Sequence, residues 1–158
     1  MAYALLKSVH LLAVVIWVGG MFFASFCLRP AALTLDPPNR VGLMRDALRR
    51  FLNLVIIAVV LILVSGTWMI ATASKTSVNF GLGFNMPIDW HVMVTLGVLM
   101  MAVFGYIRFA LLPLVDTCAA AKDWPAAGAA LTRIRALVNL NLVLAAVIIV
   151  VTRIGAIA

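Results

Sequence analysis

His10 and His91 are the only histidines of the 158-residue chain, and each stands inside a long apolar segment. A titratable side chain at membrane depth is costly and usually faces the interior of a helix bundle, so each histidine is a candidate functional residue. His10 precedes Arg29 by 19 residues and His91 precedes Arg108 by 17. At helical rise, the imidazoles are at nearly the same height, about 28 and 26 Å from these arginines. Two facing neutral imidazoles suit a metal, and haem iron with two axial histidines is one such arrangement.

Three further side chains are candidates for a haem site around these histidines. Trp17 shares a helical face with His10, and Thr95 shares one with His91. Lys7 lies one turn before His10, where its ammonium group can contact a haem propionate. Each residue also has a structural interpretation: the histidines can hydrogen-bond between helices, and Lys7 can be an interfacial anchor.

Copper is the alternative to haem, because the chain has eight methionines and thioether and imidazole ligands suit Cu(I). Met86 and Met21 are the expected partners of the histidines in that case. Met93 lies about 200° around the helix from the nearer histidine, and Met100 and Met101 lie roughly two or more turns deeper. We therefore expect these three methionines to fill the core.

The composition indicates that nearly all of the chain lies in a bilayer. Hydrophobic residues make up 66% of it and charged residues 11%, and the mean hydropathy is +1.19. A soluble domain has far more polar surface. The net charge of +7 does not indicate nucleic acid as a partner, because the basic residues flank apolar runs and form no stripe with aromatic residues. The expected partner is the lipid bilayer.

Four apolar runs are long enough to cross a bilayer as helices, which takes about 20 residues. Continuous runs of this length exclude the alternating strands of a membrane barrel. The sequence therefore predicts an all-α fold in one integral membrane domain, residues 1–158. The predicted architecture is a bundle of four transmembrane helices at residues 4–28, 51–73, 88–112 and 134–156.

Lysine and arginine are divided nine to three between the two ends of these spans. The larger group comprises Arg29, Arg40, Arg45, Arg49, Arg50, Arg108, Lys122, Arg133 and Arg135, and the smaller one Lys7, Lys75 and Arg153. By the positive-inside rule, the first group is cytoplasmic and both termini lie on the outer side. In a bacterial inner membrane, the expected location of this multi-pass protein, the outer side is the periplasm.

The connections between spans carry turn and capping signals. The string Asp36-Pro37-Pro38-Asn39 predicts a turn, and an amphipathic helix after it leads into the second span. Asp123 is expected to cap a helix with Pro125 in its first turn, and Asp89 to cap the third span or to orient a histidine. Spans two and four should therefore project past the bilayer. The outer connection, residues 74–87, is expected to cover the histidines.

The chain resembles the copper resistance D (CopD) family of bacterial inner-membrane proteins over most of its length. The resemblance lies in three strings, HLLAVVIWVGGMFF, WHVMVTLGVLMMAVFGYIRF and DWPAAGAALTRIRALVNLNL. It implies a multi-pass membrane protein concerned with copper uptake or tolerance.

The chain is also distantly similar to HemJ, a family of membrane protoporphyrinogen oxidases. That family is four-helical, binds haem b, and has a histidine in its first span and a W-x-H-x-K motif in its third. On this similarity His10 matches the first-span histidine and His91 the third-span one. Here Trp90 is adjacent to His91, and Met93 stands where the motif has lysine. The similarity implies a haem-binding histidine pair without that lysine.

Three functions are consistent with these residues. The first is a membrane protein in which His10 and His91 bind haem b for electron transfer, and if it is an enzyme, a haem-dependent oxidoreductase. One haem near one face would need a quinone or a redox partner protein to pass electrons across the membrane. The second is copper binding, transport or resistance through the same histidines. The third is an accessory membrane subunit without metal. A homo-oligomer is compatible with all three.

Overall fold

The computed structural model describes residues 2–81 and 83–155, and all regular structure in those ranges is helical. The helices are α1 (Ala2–Phe23), α2 (Arg29–Ala32), α3 (Pro37–Asn79), α4 (Ile88–Tyr106), α5 (Leu112–Ala120) and α6 (Trp124–Gly155). The π-helical segments Ala24–Leu28 and Ile107–Leu111 join α1 to α2 and α4 to α5 without a break. The predicted all-α fold is confirmed.

Within the described ranges, four apolar helical stretches are long enough to cross a bilayer: Tyr3–Ala32, Pro37–Asn79, Ile88–Ala120 and Trp124–Ile154. These stretches contain the four predicted spans, except that the predicted fourth span ends at Ala156, which lies outside the described residues. Many of their large apolar side chains are exposed on the outside of the bundle, where contact with lipid removes them from water. The chain is therefore a multi-pass membrane protein.

The helices extend beyond the predicted spans. α3 has 43 residues, about 65 Å at the usual helical rise, whereas the hydrocarbon core of a bilayer is about 30 Å thick. α6 begins at Trp124, ten residues before the predicted fourth span. The lengths of α3 and α6 agree with the prediction that spans two and four project past the bilayer. Residues 74–79, predicted as part of the outer connection, instead continue α3.

Both π-helical segments stand just before a proline. Pro30 lacks the N–H of an α-helical hydrogen bond, and a proline ring clashes with the carbonyl four residues earlier. The preceding Arg29 donates its N–H to the carbonyl of Ala24, five residues back, and the same pattern precedes Pro113. The wider π turn lets the helix continue past each proline. The first and third helical stretches therefore run on beyond residues 28 and 112, where the predicted spans end.

α1 packs mainly against α3, and α4 mainly against α6. The lining of two cavities shows that consecutive long helices run in opposite directions. The start of α1 and the end of α6 therefore lie together at one end of the bundle, which we call the terminal end. The other end carries Arg29, Arg40 and Arg135, and we call it the basic end. Which side of the membrane each end faces stays a prediction.

Close approach of α1 and α3 depends on Gly20. A Cβ built at Gly20 would overlap the ring of Phe51 on α3, whereas a Cβ at Gly19 would meet nothing within 4 Å. Small residues allow backbones to approach in this way inside a membrane, where helices associate by van der Waals packing. Gly20 is therefore a packing residue, and Gly19 is not.

The two capping predictions have different outcomes. The Asp123 side chain accepts a hydrogen bond of 3.0 Å from the backbone N–H of Ala126, which confirms that it caps α6. The prediction that Asp89 caps the third span is wrong, because the N-cap of α4 is Pro87 and Asp89 lies in the first turn. There its carboxylate still interacts favourably with the helix dipole.

Candidate functional site

A cavity of about 270 Å³ lies in the terminal half of the bundle, between all four long helices. Its walls are mainly apolar, with a few polar side chains. The residues that matter below are His10, Val14 and Trp17 on α1, Gly66 on α3, Met93, Gly97, Met100 and Met101 on α4, and Thr152 on α6. A mainly apolar pocket with a small number of placed polar groups is the usual form of a small-ligand site.

Ser65 of α3 holds the imidazole of His10. The atoms His10 Nδ1 and Ser65 Oγ lie 2.9 Å apart, and Ser65 is buried. The Ser65 hydroxyl also donates to the carbonyl of Leu61. Because a hydroxyl has a single hydrogen, His10 donates through Nδ1–H and the Ser65 oxygen accepts. The lone pair of His10 Nε2 is then left for a ligand.

Gly66 leaves the space that this imidazole occupies. A Cβ at Gly66 would lie 3.4 Å from Cε1 and 3.7 Å from Nδ1 of His10. Those separations are van der Waals contact, so a side chain larger than alanine would push the ring away from Ser65. α3 therefore fixes His10 in two ways, through a hydrogen bond and through the absence of a side chain.

Three methionines of α4 share the cavity with His10. Met93, Met100 and Met101 all line it, with Gly97 between them. Spacings of seven and eight residues correspond to about two helical turns, so the three side chains lie on one face of α4. The side chain of Met100 is 4% exposed. Thioether sulfur and neutral imidazole together suit a soft cation such as Cu(I).

His91 lies outside this cavity. Its side chain is exposed, and its Nδ1 lies 3.1 Å from the carbonyl oxygen of Pro87 in the same helix. The interior face of α4 carries Met93 and Gly97, and His91 is about 200° away from Met93 around the helix. The predicted geometry, with both imidazoles in one interior space, is corrected on this point. Metal binding by either histidine stays a prediction.

The other predicted site residues are divided between cavity, core and surface. Trp17 lines the cavity, and its ring meets Phe104 edge-on with centroids 6.0 Å apart, which closes the cavity toward the basic end. Met21 lies one turn further along α1, is 2% exposed, and does not line the cavity. Lys7 and Thr95 lie outside the lining and are exposed. Met86 also lies outside the lining and is partly exposed. The methionines that line the cavity together with His10 are Met93, Met100 and Met101, the three that the sequence predicts to fill the core.

The described part of the connection between α3 and α4 does not line the cavity. No described residue between 74 and 87 is part of its lining. The part of α3 that reaches the cavity ends at Ile70, and the helix continues to Asn79 before the chain turns. The predicted lid is therefore corrected: α3 carries the connection past the site.

Methionine sulfur is central to any metal site here. In residues 2–81 and 83–155, no group of three or more His, Cys, Asp or Glu side chains is arranged to hold a metal ion. The cavity has one imidazole and no carboxylate in its lining. A metal bound in it would depend on thioether ligands for the rest of its coordination.

Sequence reasoning missed Ser65 and the methionine face of α4. A signal for the second exists, because positions 93, 97, 100 and 101 follow the helical period. Nothing local identifies Ser65, which is 55 residues from His10 along the chain. A serine in an apolar helix also commonly bonds to its own backbone, as Ser65 does here.

A family model described as Copper resistance protein D matches residues 45–154, which is more than half of the chain. The matched residues include the cavity walls contributed by α3, α4 and most of α6, while His10 precedes them. No curated protein and no solved structure matches the chain. The similarity to HemJ stays a prediction.

Proposed function

The chain belongs to the copper resistance protein D family, and on that premise we propose that it binds and handles copper(I) in a bacterial inner membrane. The observation that carries the proposal is the cavity that is lined both by His10, whose Nδ1 is held by Ser65, and by three methionines of α4. On the predicted orientation this cavity lies toward the periplasm. Copper would be the cargo of the protein.

The chemistry of the cavity favours Cu(I) over Cu(II). Every available donor is neutral, and the lining contains no carboxylate or thiolate. An ion in an apolar cavity pays a desolvation cost that rises with its charge. A monovalent soft cation bound by imidazole and thioether therefore fits these walls better than a divalent one.

The cavity is closed toward the basic end. Met21 and Val55 are buried in the adjacent layer of the bundle, and Asn141 donates its side-chain N–H to the carbonyl of Met100 at 3.2 Å. These side chains separate the cavity from the other half of the molecule. Copper accepted at the terminal end is therefore held there, and passage through the bundle requires this layer to rearrange.

Metal content and the absorption spectrum of the purified full chain test this proposal together. We expect Cu(I) in stoichiometric amount when the protein is loaded under reducing conditions, with no Soret band before or after reduction. A Soret band without copper would favour haem and contradict the proposal. Neither copper nor haem would favour an accessory subunit without metal, which also contradicts it.

Haem b between His10 and His91 stays a prediction. A haem with two axial histidines requires both rings to face one cavity, and only His10 lines this one. The residues present therefore do not fit that arrangement, and the family match does not add support for it. Electron transfer, a quinone or protein redox partner, and a homo-oligomer remain predictions as well.

Ser65→Ala should weaken copper binding without abolishing it. The substitution removes the oxygen that fixes the His10 ring and its tautomer, and loss of such a supporting partner typically lowers metal affinity about 10- to 100-fold. Competition with a Cu(I) chelator measures the change. Ser8→Ala is the matched control, since Ser8 also bonds to its own helix backbone but is exposed. Unchanged affinity in Ser65→Ala would contradict the assigned role of Ser65.

A further inference from the structure

A second cavity, of about 290 Å³, lies at the basic end of the bundle. It is formed where the π-helical segment and α2 meet the first turns of α3 and of α6. Three arginines line it: Arg29 of α2, Arg40 of α3 and Arg135 of α6. Its remaining walls are largely apolar, with Leu33, Leu48 and Leu131 among them. The cavity therefore combines three positive charges with apolar walls.

The three arginines have no carboxylate partner among the residues that the structure describes. No acidic residue lines the cavity. Every carboxylate near this end already has another partner: Asp36 bonds to Asn39, Asp46 to Arg45, Asp116 to Arg49 and Asp123 to the N–H of Ala126. Among the described residues, no ion pair therefore neutralises the three arginines of the cavity.

This arrangement costs energy without an anion. The guanidinium groups of Arg40 and Arg135 lie close enough to repel that of Arg29, which is only partly exposed. The first turn of α3 also faces the cavity through Pro37 and Arg40. Its two prolines have no N–H to donate, so this helix N-terminus contributes partial positive charge only. An anion placed among these groups would relieve the repulsion and accept several charge-assisted hydrogen bonds.

We propose that this cavity binds a phosphate group, with Arg29, Arg40 and Arg135 as its ligands. Guanidinium groups match the geometry of phosphate oxygens. Arg29 and Arg135 stand where the predicted first span ends and the predicted fourth begins, which corresponds to headgroup depth on those spans, and the leucine walls suit acyl chains. Basic pockets between transmembrane helices bind anionic lipid headgroups in this way. The phosphate can come from a phospholipid or from a soluble phosphate compound.

Thermal unfolding of the full chain in an uncharged detergent tests the site. Three probes are added at constant ionic strength: inorganic phosphate, phosphatidylglycerol, and diacylglycerol as the phosphate-free control. We expect a phosphate-bearing probe to raise the unfolding midpoint and diacylglycerol not to. Arg29→Gln should weaken that response at least about tenfold in probe concentration. Because it also removes repulsion, Arg29→Gln should unfold no lower than the unsubstituted protein when no probe is present.

Arg133→Gln is the matched control, because Arg133 is exposed on α6, two residues before Arg135, and does not line the cavity. It should keep the full response. A response to phosphatidylglycerol alone would support the site with lipid as the source, and a response to inorganic phosphate would support it with a soluble source. Equal responses to phosphatidylglycerol and diacylglycerol, or equal loss in Arg133→Gln and Arg29→Gln, would overturn the proposal. Arg40→Gln and Arg135→Gln repeat the test should Arg29→Gln fail to fold.

Discussion

His10→Ala is expected to remove copper binding from the purified protein, whereas His91→Ala is expected to leave it unchanged. His10 is the one imidazole in the cavity lining. Its Nδ1 is hydrogen-bonded to Ser65, so the lone pair of Nε2 is the one left to bind a metal ion. Loss of a supporting partner alone lowers metal affinity about 10- to 100-fold, so loss of the ligand itself should exceed that range. Competition with a Cu(I) chelator measures both variants.

The two histidine variants make a matched pair, because the same side chain is truncated in the same way at two sites. His91 is exposed and bonds to the backbone of its own helix, so its truncation to alanine should change the copper affinity little. Equal loss of copper in both variants would show that the histidines act together, as the bis-histidine prediction requires. If the His10→Ala variant retains copper, this cavity is not the copper site.

Gly20→Ala is expected to destabilise the bundle, whereas Gly19→Ala is expected to be neutral or slightly stabilising. A methyl group at Gly20 would overlap the Phe51 ring of α3, and forcing extra volume into a packed contact typically costs about 1–3 kcal/mol. At Gly19 the methyl group meets nothing within 4 Å, and alanine is a better helix former by about 0.5–1 kcal/mol. Thermal unfolding in detergent gives the order of the two midpoints.

A second substitution shows whether the Phe51 ring is the cause. In a Phe51→Ala background the ring is absent, so Gly20→Ala should lose most of its destabilising effect. The difference between the two backgrounds is the interaction energy of the pair. If Gly20→Ala lowers the stability equally in the Phe51→Ala background, Gly20 matters for another reason, such as its own backbone conformation.

The four membrane helices follow from local composition, which is why residues 4–28, 51–73, 88–112 and 134–155 are helical in the structure. The ends of the helices do not follow from local composition. α3 and α6 continue through polar segments that the hydropathy pattern excludes, and the helices pass Pro30 and Pro113 by widening into π turns. Proline is read as a terminator because it removes one hydrogen bond, and the five-residue bond that compensates becomes apparent only in three dimensions.

The candidate site, like the helices, could be predicted from the sequence only in part. The face of α1 that carries His10, Val14 and Trp17 points inward as the helical period predicts. The face of α4 was assigned from His91, on the assumption that a histidine faces the interior, and the structure instead turns Met93 and Gly97 inward. Apart from a few residues such as Asp89, His91 and Thr95, α4 is apolar on every side. Its hydrophobic pattern therefore contains little information about which side faces the bundle.

Sequence alone determined that this chain is a four-helix membrane protein with most of its basic residues at one end and His10 inside, because hydrophobicity and charge act residue by residue. The tertiary structure alone decided which side chains meet. It set Ser65 against His10, placed three methionines in the same cavity lining as that imidazole, moved His91 to the surface, and gathered three arginines without a carboxylate. Those outcomes depend on the rotation of each helix about its axis, which is fixed by packing between segments far apart in the chain.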